Sequence, residues 1–332
     1  MLRKLMTVCI ALSLVVPPFV AEAGQKSHKK VSASSKHKAA TSRKIIRTIR
    51  SDRKYRVQNV NYNRNASVFN EELDSTGILQ LASSKALIVN QETGETVYAK
   101  STNMPTPIAS VTKLMTAMVM LDARLPMDEV LTISEGDVDM LKGTSSRLRL
   151  GTELTRAELL QLALMASENR AASALGRNYP GGLTSFIAAM NIKAIQLGMT
   201  NTHFVDPTGL NSENVSTAED LVKMVRAAYQ YPEIRQVSTS TNMEVPVRGL
   251  RNPASFVNTN ILVRNSDWVI GLSKTGYINE AGRCLVMQAE IAGQPMIIVL
   301  LDSWGKYSRI GDAQRIRKWI ESNNIMTTGV SG

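Results

Sequence analysis

The sequence predicts an α+β fold: an antiparallel sheet covered by helices, with a helical lobe inserted between its two halves. Three observations carry that expectation. "ALIVNQETGETVYA", from Ala86, gives two β-prone runs around a turn containing Gly94, a hairpin signal. Strand character returns late in the chain at "DWVIGLSKTGY", "RCLVMQAEIAG" and "QPMIIVLLDSW", the last two meeting in a hairpin at Ala292 to Pro295. Between Leu125 and Tyr229 the pattern is mainly helical.

Each helical element has its own signal. Thr106-Pro107 is expected to start a helix, Thr as N-cap and Pro at the first helical position, leading into "IASVTKLMTAMVMLDA". "TRAELLQLALMAS", "LTSFIAAMNIKAIQLG" and "TAEDLVKMVRAAYQ" are amphipathic runs separated by Gly, Pro and Asn. Near the end, "GDAQRIRKWIES" places Ala313, Ile316, Trp319 and Ile320 on one helical face. A cleft between sheet and lobe is the natural site.

Ahead of this domain the chain has a different character. Arg3 and Lys4, an apolar stretch from Leu5 to Val16, and Ala21-Glu22-Ala23 before Gly24 describe a secretory signal over residues 1–23, too short to span a bilayer as an ordinary membrane helix. Residues 24–65 form a basic arm with too few apolar residues to build a core. Gln25 to Asn65 holds 13 Lys and Arg against Asp52, so although the whole chain carries +11, everything from Ala66 onward nets −2. The basicity belongs to the arm. A solvated linker is its plainest role, an anionic envelope polymer or lipid surface its conceivable partner, and nucleic acid is not expected of an exported protein. The folded domain is expected over 66–332. Removal of the signal leaves Cys284 as the only cysteine, which excludes an internal disulfide and, in its apolar strand, suits a core residue.

Chemistry is concentrated in three short stretches. Outside the arm the only histidine is His203, which excludes a histidine-rich metal site and leaves a Ser-His-Asp triad one ring to recruit. A serine nucleophile then needs another base. In "IASVTK", Lys113 lies one turn beyond Ser110 on the same face, where the helix N-terminus disfavours its ammonium form. Ser-x-x-Lys alone is weak, since it recurs at Ser27 and Ser35. "ASENRAA" adds Ser167 and Asn169 after a helical run, and "LSKTGY" adds Lys274, Thr275 and Gly276 on a strand; Lys-Thr-Gly occurs once. Taken singly these are ordinary polar residues at helix ends or on a strand. As an ordered set they form the Ser-x-x-Lys, Ser-x-Asn and Lys-Thr-Gly signature.

"IASVTKLMTA", "ALMASENRAA", "HFVDPTGL" and "LSKTGYINEAGRCLVM" resemble the low-molecular-mass penicillin-binding proteins, serine D-Ala-D-Ala peptidases of the S11 type, from about Ala86 to Trp319. The resemblance implies the DD-peptidase/serine β-lactamase-like fold and an acyl-enzyme mechanism without cofactor or metal. Ser110 would attack the D-alanine carbonyl, Lys113 would take its proton, and Ser167 would relay a proton to the leaving amine. Asn169 would orient Lys113 and the substrate amide, while Lys274 and Thr275 would meet the substrate carboxylate. Gly276 would leave room for substrate, and the backbone N–H groups of Ser110 and Tyr277 would form the oxyanion hole. The implied substrates are peptidoglycan stem peptides and cross-links, with β-lactams as covalent inhibitors and the periplasm as location. Endopeptidase is the preferred activity, because little follows the Lys-Thr-Gly strand where the family's carboxypeptidases carry a further β-domain and an anchor. Carboxypeptidase is the alternative. A class A β-lactamase would need a Glu-x-x-Leu-Asn element, which Glu219 in "EDLV" does not supply, and a non-catalytic wall-binding protein would not need the intact set.

Overall fold

The computed structural model describes residues 79–328, so the expected signal segment and basic arm lie outside the described residues. The chain enters through the hairpin β1 (Ser83–Asn90) and β2 (Thr96–Lys100), whose turn closes on Gly94 at φ +76°. A two-residue strand, β3 (Thr106–Pro107), leads through a 3-10 turn at Ala109–Thr112 into α1 (Lys113–Asp122). A small ribbon, β4 (Val130–Thr132) with β5 (Glu153–Thr155), precedes α2 (Arg156–Met165), α3 (Asn169–Arg177) and α4 (Gly182–Gln196). Then β6 (Val215–Ser216) pairs with β3, followed by α5 (Ala218–Ala228), α6 (Pro232–Ser238) and the ribbon β7 (Asn242–Val245) with β8 (Ala254–Val257). Three long strands, β9 (Val269–Ile278), β10 (Gly282–Ile291) and β11 (Gln294–Ser303), and the helix α7 (Ser308–Thr328) complete the described chain.

The principal sheet has the order β2-β1-β11-β10-β9, antiparallel throughout, so strands from the two ends of the domain meet at β1–β11. The central strands β1, β11 and β10 read as nearly unbroken apolar runs because both faces are covered there. Leu87, Val89, Val286, Val299 and Leu301 face the helical lobe, whereas Ala86, Ile88, Leu285, Met287, Ile298 and Leu300 pack with Ile310, Ala313, Ile316 and Ile320 of α7. The expected α+β architecture and the shared face of α7 are borne out. Cys284 is a fully buried core residue whose thiol burial pushes up to about 11.

One expectation fails. Thr106 and Pro107 do not open a helix; they pair with Ser216 and Val215, and α1 begins six residues later at Lys113. The missing N–H of proline is tolerated in a short strand at a sheet margin as readily as in a first helical turn, so the local signal was degenerate. Ser110 consequently lies in a 3-10 turn ahead of the helix.

Asp312 ties the start of β1 to α7. Its fully buried carboxylate accepts hydrogen bonds from the Ala82 and Ser83 amides at 2.9 and 2.8 Å and from Ser83 Oγ at 2.5 Å, and it pairs with Arg315. Removing it would orphan buried donors and an arginine at once. Asp312→Ala is therefore expected to destabilise the domain by about 3 kcal/mol, read as a lowered urea midpoint with an unchanged m-value.

Candidate active site

Three walls meet at Ser110: the turn before α1, the segment between α2 and α3, and the edge strand β9. Two glycines let them close. A Cβ on Gly209, at φ +80°, would stand 1.9 Å from the Ala109 carbonyl oxygen, and one on Gly276 would stand 2.9 Å from the Ile108 oxygen and 3.1 Å from the Ser110 nitrogen. The backbone at 108–110 is thus clasped between a loop and a strand that approach too closely for any side chain. Ala109 itself is held at φ +47°, and Ser167, on another wall, at φ +60°. Such strain persists only where surrounding contacts over-determine the backbone, and it gathers at functional sites.

Lys113 is fully buried at the centre. Its Nζ donates to Ser110 Oγ at 2.9 Å, to Asn169 Oδ1 at 2.8 Å and to the Thr208 carbonyl at 2.7 Å. Burial lowers its pKa to about 7 from an ordinary 10.5, against the opposing pull of the Asp206 and Glu168 carboxylates. An ammonium spends three N–H groups on these three acceptors; a neutral amine has two, which satisfy the carboxamide and the carbonyl and leave its lone pair facing the serine hydroxyl. Near neutrality, this geometry would allow Lys113 to accept a proton from Ser110.

The acceptors are fixed in turn. Asn169 Nδ2 donates to Thr144 Oγ1 at 3.2 Å, and Thr144 Oγ1 donates its own proton to Asp139 at 2.7 Å. With Thr144 committed as a donor, Asn169 can present only its oxygen to Lys113. The Thr208 carbonyl is placed by Asp206, whose carboxylate accepts from the amides of Thr208, Gly209 and Asn211 and from the Thr208 hydroxyl. Buried Asn214 locks that loop to the helix start: its Nδ2 donates to Thr112 Oγ1 and to the Asp206 carbonyl, and its Oδ1 accepts from the Val205 and Asp206 amides.

Lys274, 1% exposed, donates to Ser167 Oγ at 2.8 Å and to the Thr275 carbonyl at 2.8 Å. Its pKa lies well below the ordinary value because of burial first, and then because Lys113 and Arg309 add positive potential. Thr275 Oγ1 donates to Thr259 Oγ1 at 2.7 Å, and the Thr259 amide donates to the Met165 carbonyl, tying β9 to the wall that carries Ser167. Tyr277 follows Gly276 along the strand, half-exposed, with its hydroxyl on Asn279.

The residues singled out in the sequence thus come together: Ser110 with Lys113 and Asn169, Ser167 with Lys274, and Gly276 against the Ser110 backbone. His203 enters none of these side-chain contacts; its backbone is bridged to Val215. Thr208, Asp206, Thr144, Asp139 and Arg309 were not anticipated. Arg309 is 9% exposed, and its Nε and Nη1 are buried without a hydrogen-bond partner, close enough to Lys274 to lower its pKa. Among the described residues no His/Cys/Asp/Glu cluster suits a metal ion, and no helix is long and apolar enough to cross a membrane.

A covered antiparallel sheet with a buried lysine on a serine at the junction with a helical lobe is the frame of the DD-peptidases. The crystal structure of the Streptomyces K15 DD-transpeptidase shares it at a TM-score of 0.67 and 30% identity, over 72% of this chain and 97% of that one. Residues 70–305 match the S11 peptidase family, described as D-alanyl-D-alanine carboxypeptidase, and the chain belongs to that family of serine peptidases. It is 48% identical to the D-alanyl-D-alanine endopeptidases of Pseudomonas aeruginosa, over 74% of this chain and 79% of the relative, and of Escherichia coli, over 74% and 80%.

The Lys113 ammonium is expected to titrate near pH 7, observable through the 13Cε shift of labelled lysine. Because the Glu168 carboxylate raises that pKa, Glu168→Gln is expected to move the midpoint to lower pH; a midpoint left near 10.5 in the parent protein would contradict the burial.

Proposed function

We propose that this protein is a serine D-alanyl-D-alanine endopeptidase of the periplasm, cleaving peptidoglycan cross-links through an acyl-enzyme on Ser110. The observation that carries the reading is the 2.9 Å contact between Ser110 Oγ and a lysine whose pKa is about 7. Neutral Lys113 takes the hydroxyl proton as Oγ bonds to the carbonyl carbon of the D-alanine residue. The carbonyl oxygen becomes an oxyanion, met by the backbone N–H groups of Ser110 and Tyr277, each worth about 3 kcal/mol in comparable sites. When the C–N bond breaks, Ser167 passes its proton to the departing amine and takes in exchange the one that Lys113 removed from Ser110, which returns Lys113 to the neutral amine; Lys274, hydrogen-bonded to Ser167 and charged once the substrate carboxylate is bound, makes that hydroxyl a better donor. Water then attacks the ester and frees Ser110. A β-lactam follows the first half of the same course, its ring C–N bond opening on Ser110.

The substrate carboxylate next to the scissile bond is assigned to Lys274, Thr275 and Arg309. Arg309 enters because an arginine with two buried, unpartnered donors beside another cation is unfavourable until an anion arrives. Endopeptidase is preferred over carboxypeptidase because the relatives at 48% identity carry that name, whereas relatives named carboxypeptidase in Bacillus subtilis and Streptomyces are 32% and 33% identical. A terminal D-alanine and a cross-linking diamino acid both present a carboxylate to the same cations, so products decide. Digestion of purified cross-linked muropeptide dimers is expected to consume the dimer while monomers keep their terminal D-alanine; loss of D-alanine from monomers alone would make the enzyme a carboxypeptidase.

Ser110→Ala is expected to abolish both dimer cleavage and covalent penicillin labelling, and residual cleavage would remove Ser110 as the nucleophile. The acylation rate by a fluorescent penicillin is expected to rise with pH through about 7 and then level, because only neutral Lys113 accepts the proton. Arg309→Gln is expected to lower kcat/KM about tenfold or more on carboxylate substrates. A substrate amidated at that position is expected to show little further loss.

A further inference from the structure

The cleft wall continues past the residues that the chemistry requires. Tyr277 is 52% exposed, and the Arg283 guanidinium lies 4.5 Å from its ring centroid. Arg283 is the register partner of Tyr277 on β10, and Ser303 is the register partner of Arg283 on β11. Two strand spacings, about 10 Å, therefore separate the backbone at Tyr277 from that at Ser303. Immediately beyond Ser303 the chain turns through Trp304, Gly305, Lys306 and Tyr307 before α7 begins. Trp304 is 82% exposed and Tyr307 60%, with the Lys306 ammonium 5.3 Å from the Tyr307 ring. Phe186, Phe204 and Phe256, by contrast, are fully buried. Exposed rings interleaved with cations, running along one end of the sheet from the cleft, mark a recognition surface.

We propose that Tyr277, Arg283, Trp304, Lys306 and Tyr307 form a secondary binding track for the glycan portion of the wall polymer. The apolar faces of sugar rings stack on the exposed aromatic side chains, and stem-peptide carboxylates meet Arg283 and Lys306. This inference rests on the peptidase reading above and deepens it, since a track continuous with the cleft lets the enzyme hold the strand whose cross-link it cuts. A lipid surface seated on the same residues would lie across Tyr277 and obstruct the approach to Ser110, so position favours the polymer.

The test uses the full chain with Ser110→Ala and, as ligand, glycan strands stripped of peptide by an amidase. Adding Trp304→Ala and Tyr307→Ala is expected to weaken binding about tenfold, whereas Trp304→Phe with Tyr307→Phe, which keeps the rings, is expected to retain it. With Ser110 intact, the double alanine variant is expected to lower the ratio of kcat/KM on glycan-bearing dimers to that on glycan-free cross-linked peptides by a similar factor. Undiminished glycan binding, or an unchanged ratio, would overturn the track. So would a loss confined to phosphatidylglycerol vesicles, which would assign the rings to a membrane. If Ser110-intact protein cleaved neither substrate while stripped strands still bound through Trp304 and Tyr307, the track would stand and the peptidase reading would fall.

Discussion

The burial of Lys113 is the constraint on which the rest of the site depends. An amine taken wholly out of water loses the hydration that holds its proton, and the protein returns only three acceptors, one of which is the Ser110 hydroxyl. A carboxylate in place of one of these neutral acceptors would have held the ammonium; losing the carboxamide or the carbonyl would have left the neutral amine free to turn away. The pKa near 7 reflects that balance. Its distance-dependent part comes from Asp206 and Glu168, which pull upward without touching Nζ, so the same carboxylates that organise the neighbouring loops also keep the base from becoming too weak.

Geometry of this kind has to be held by groups that cannot relax. The polar network around Asn214, Asp206 and Thr208 is almost entirely side chain to backbone, and it places a carbonyl oxygen, which no mutation of Thr208 itself would remove. The Thr144 and Asp139 pair does the equivalent for Asn169 by deciding which end of the carboxamide faces inward. These residues act on Lys113 through its partners, and each satisfied partner raises the cost of any alternative arrangement. The strained φ angles of Ala109 and Ser167 are tolerated for the same reason: Gly209 and Gly276 permit a backbone approach whose contacts outweigh a local cost of about 1–3 kcal/mol each.

This division explains which parts of the molecule could be inferred from the chain. Ser110, Lys113, Ser167, Asn169, Lys274 and Gly276 were legible because spacing within a turn or along a strand is a local property. The two-sided sheet was legible in its apolar runs for the same reason. Thr208 contributes a main-chain oxygen, which no residue type advertises, and Thr144 matters only because a loop folds back to Asn169 across 25 positions. Arg309 begins a helix 35 positions beyond Lys274 and looks like any solvated arginine until burial strips its partners. The helix start assigned to Thr106 and Pro107 failed on a related point, since the strand they join lies more than 100 residues away and has no local trace.

The arrangement carries a cost that points to its ligand. Lys113 in the folded protein binds its proton less tightly than in the unfolded chain, so below about pH 7 both states are protonated and the full burial penalty is present. As pH rises from about 7 toward 10.5, the unfolded chain holds the extra proton and the penalty is progressively relieved, so this residue makes stability increase across that window. Lys274 and Arg309 add to the imbalance, with pKa values lowered by burial and by neighbouring cations. A carboxylate bound between them would reverse that potential, returning charge to Lys274 and partners to Arg309. Packing of the two cores offsets that cost, and an anion bound there would relieve part of it, which would couple binding to the electrostatics of the site.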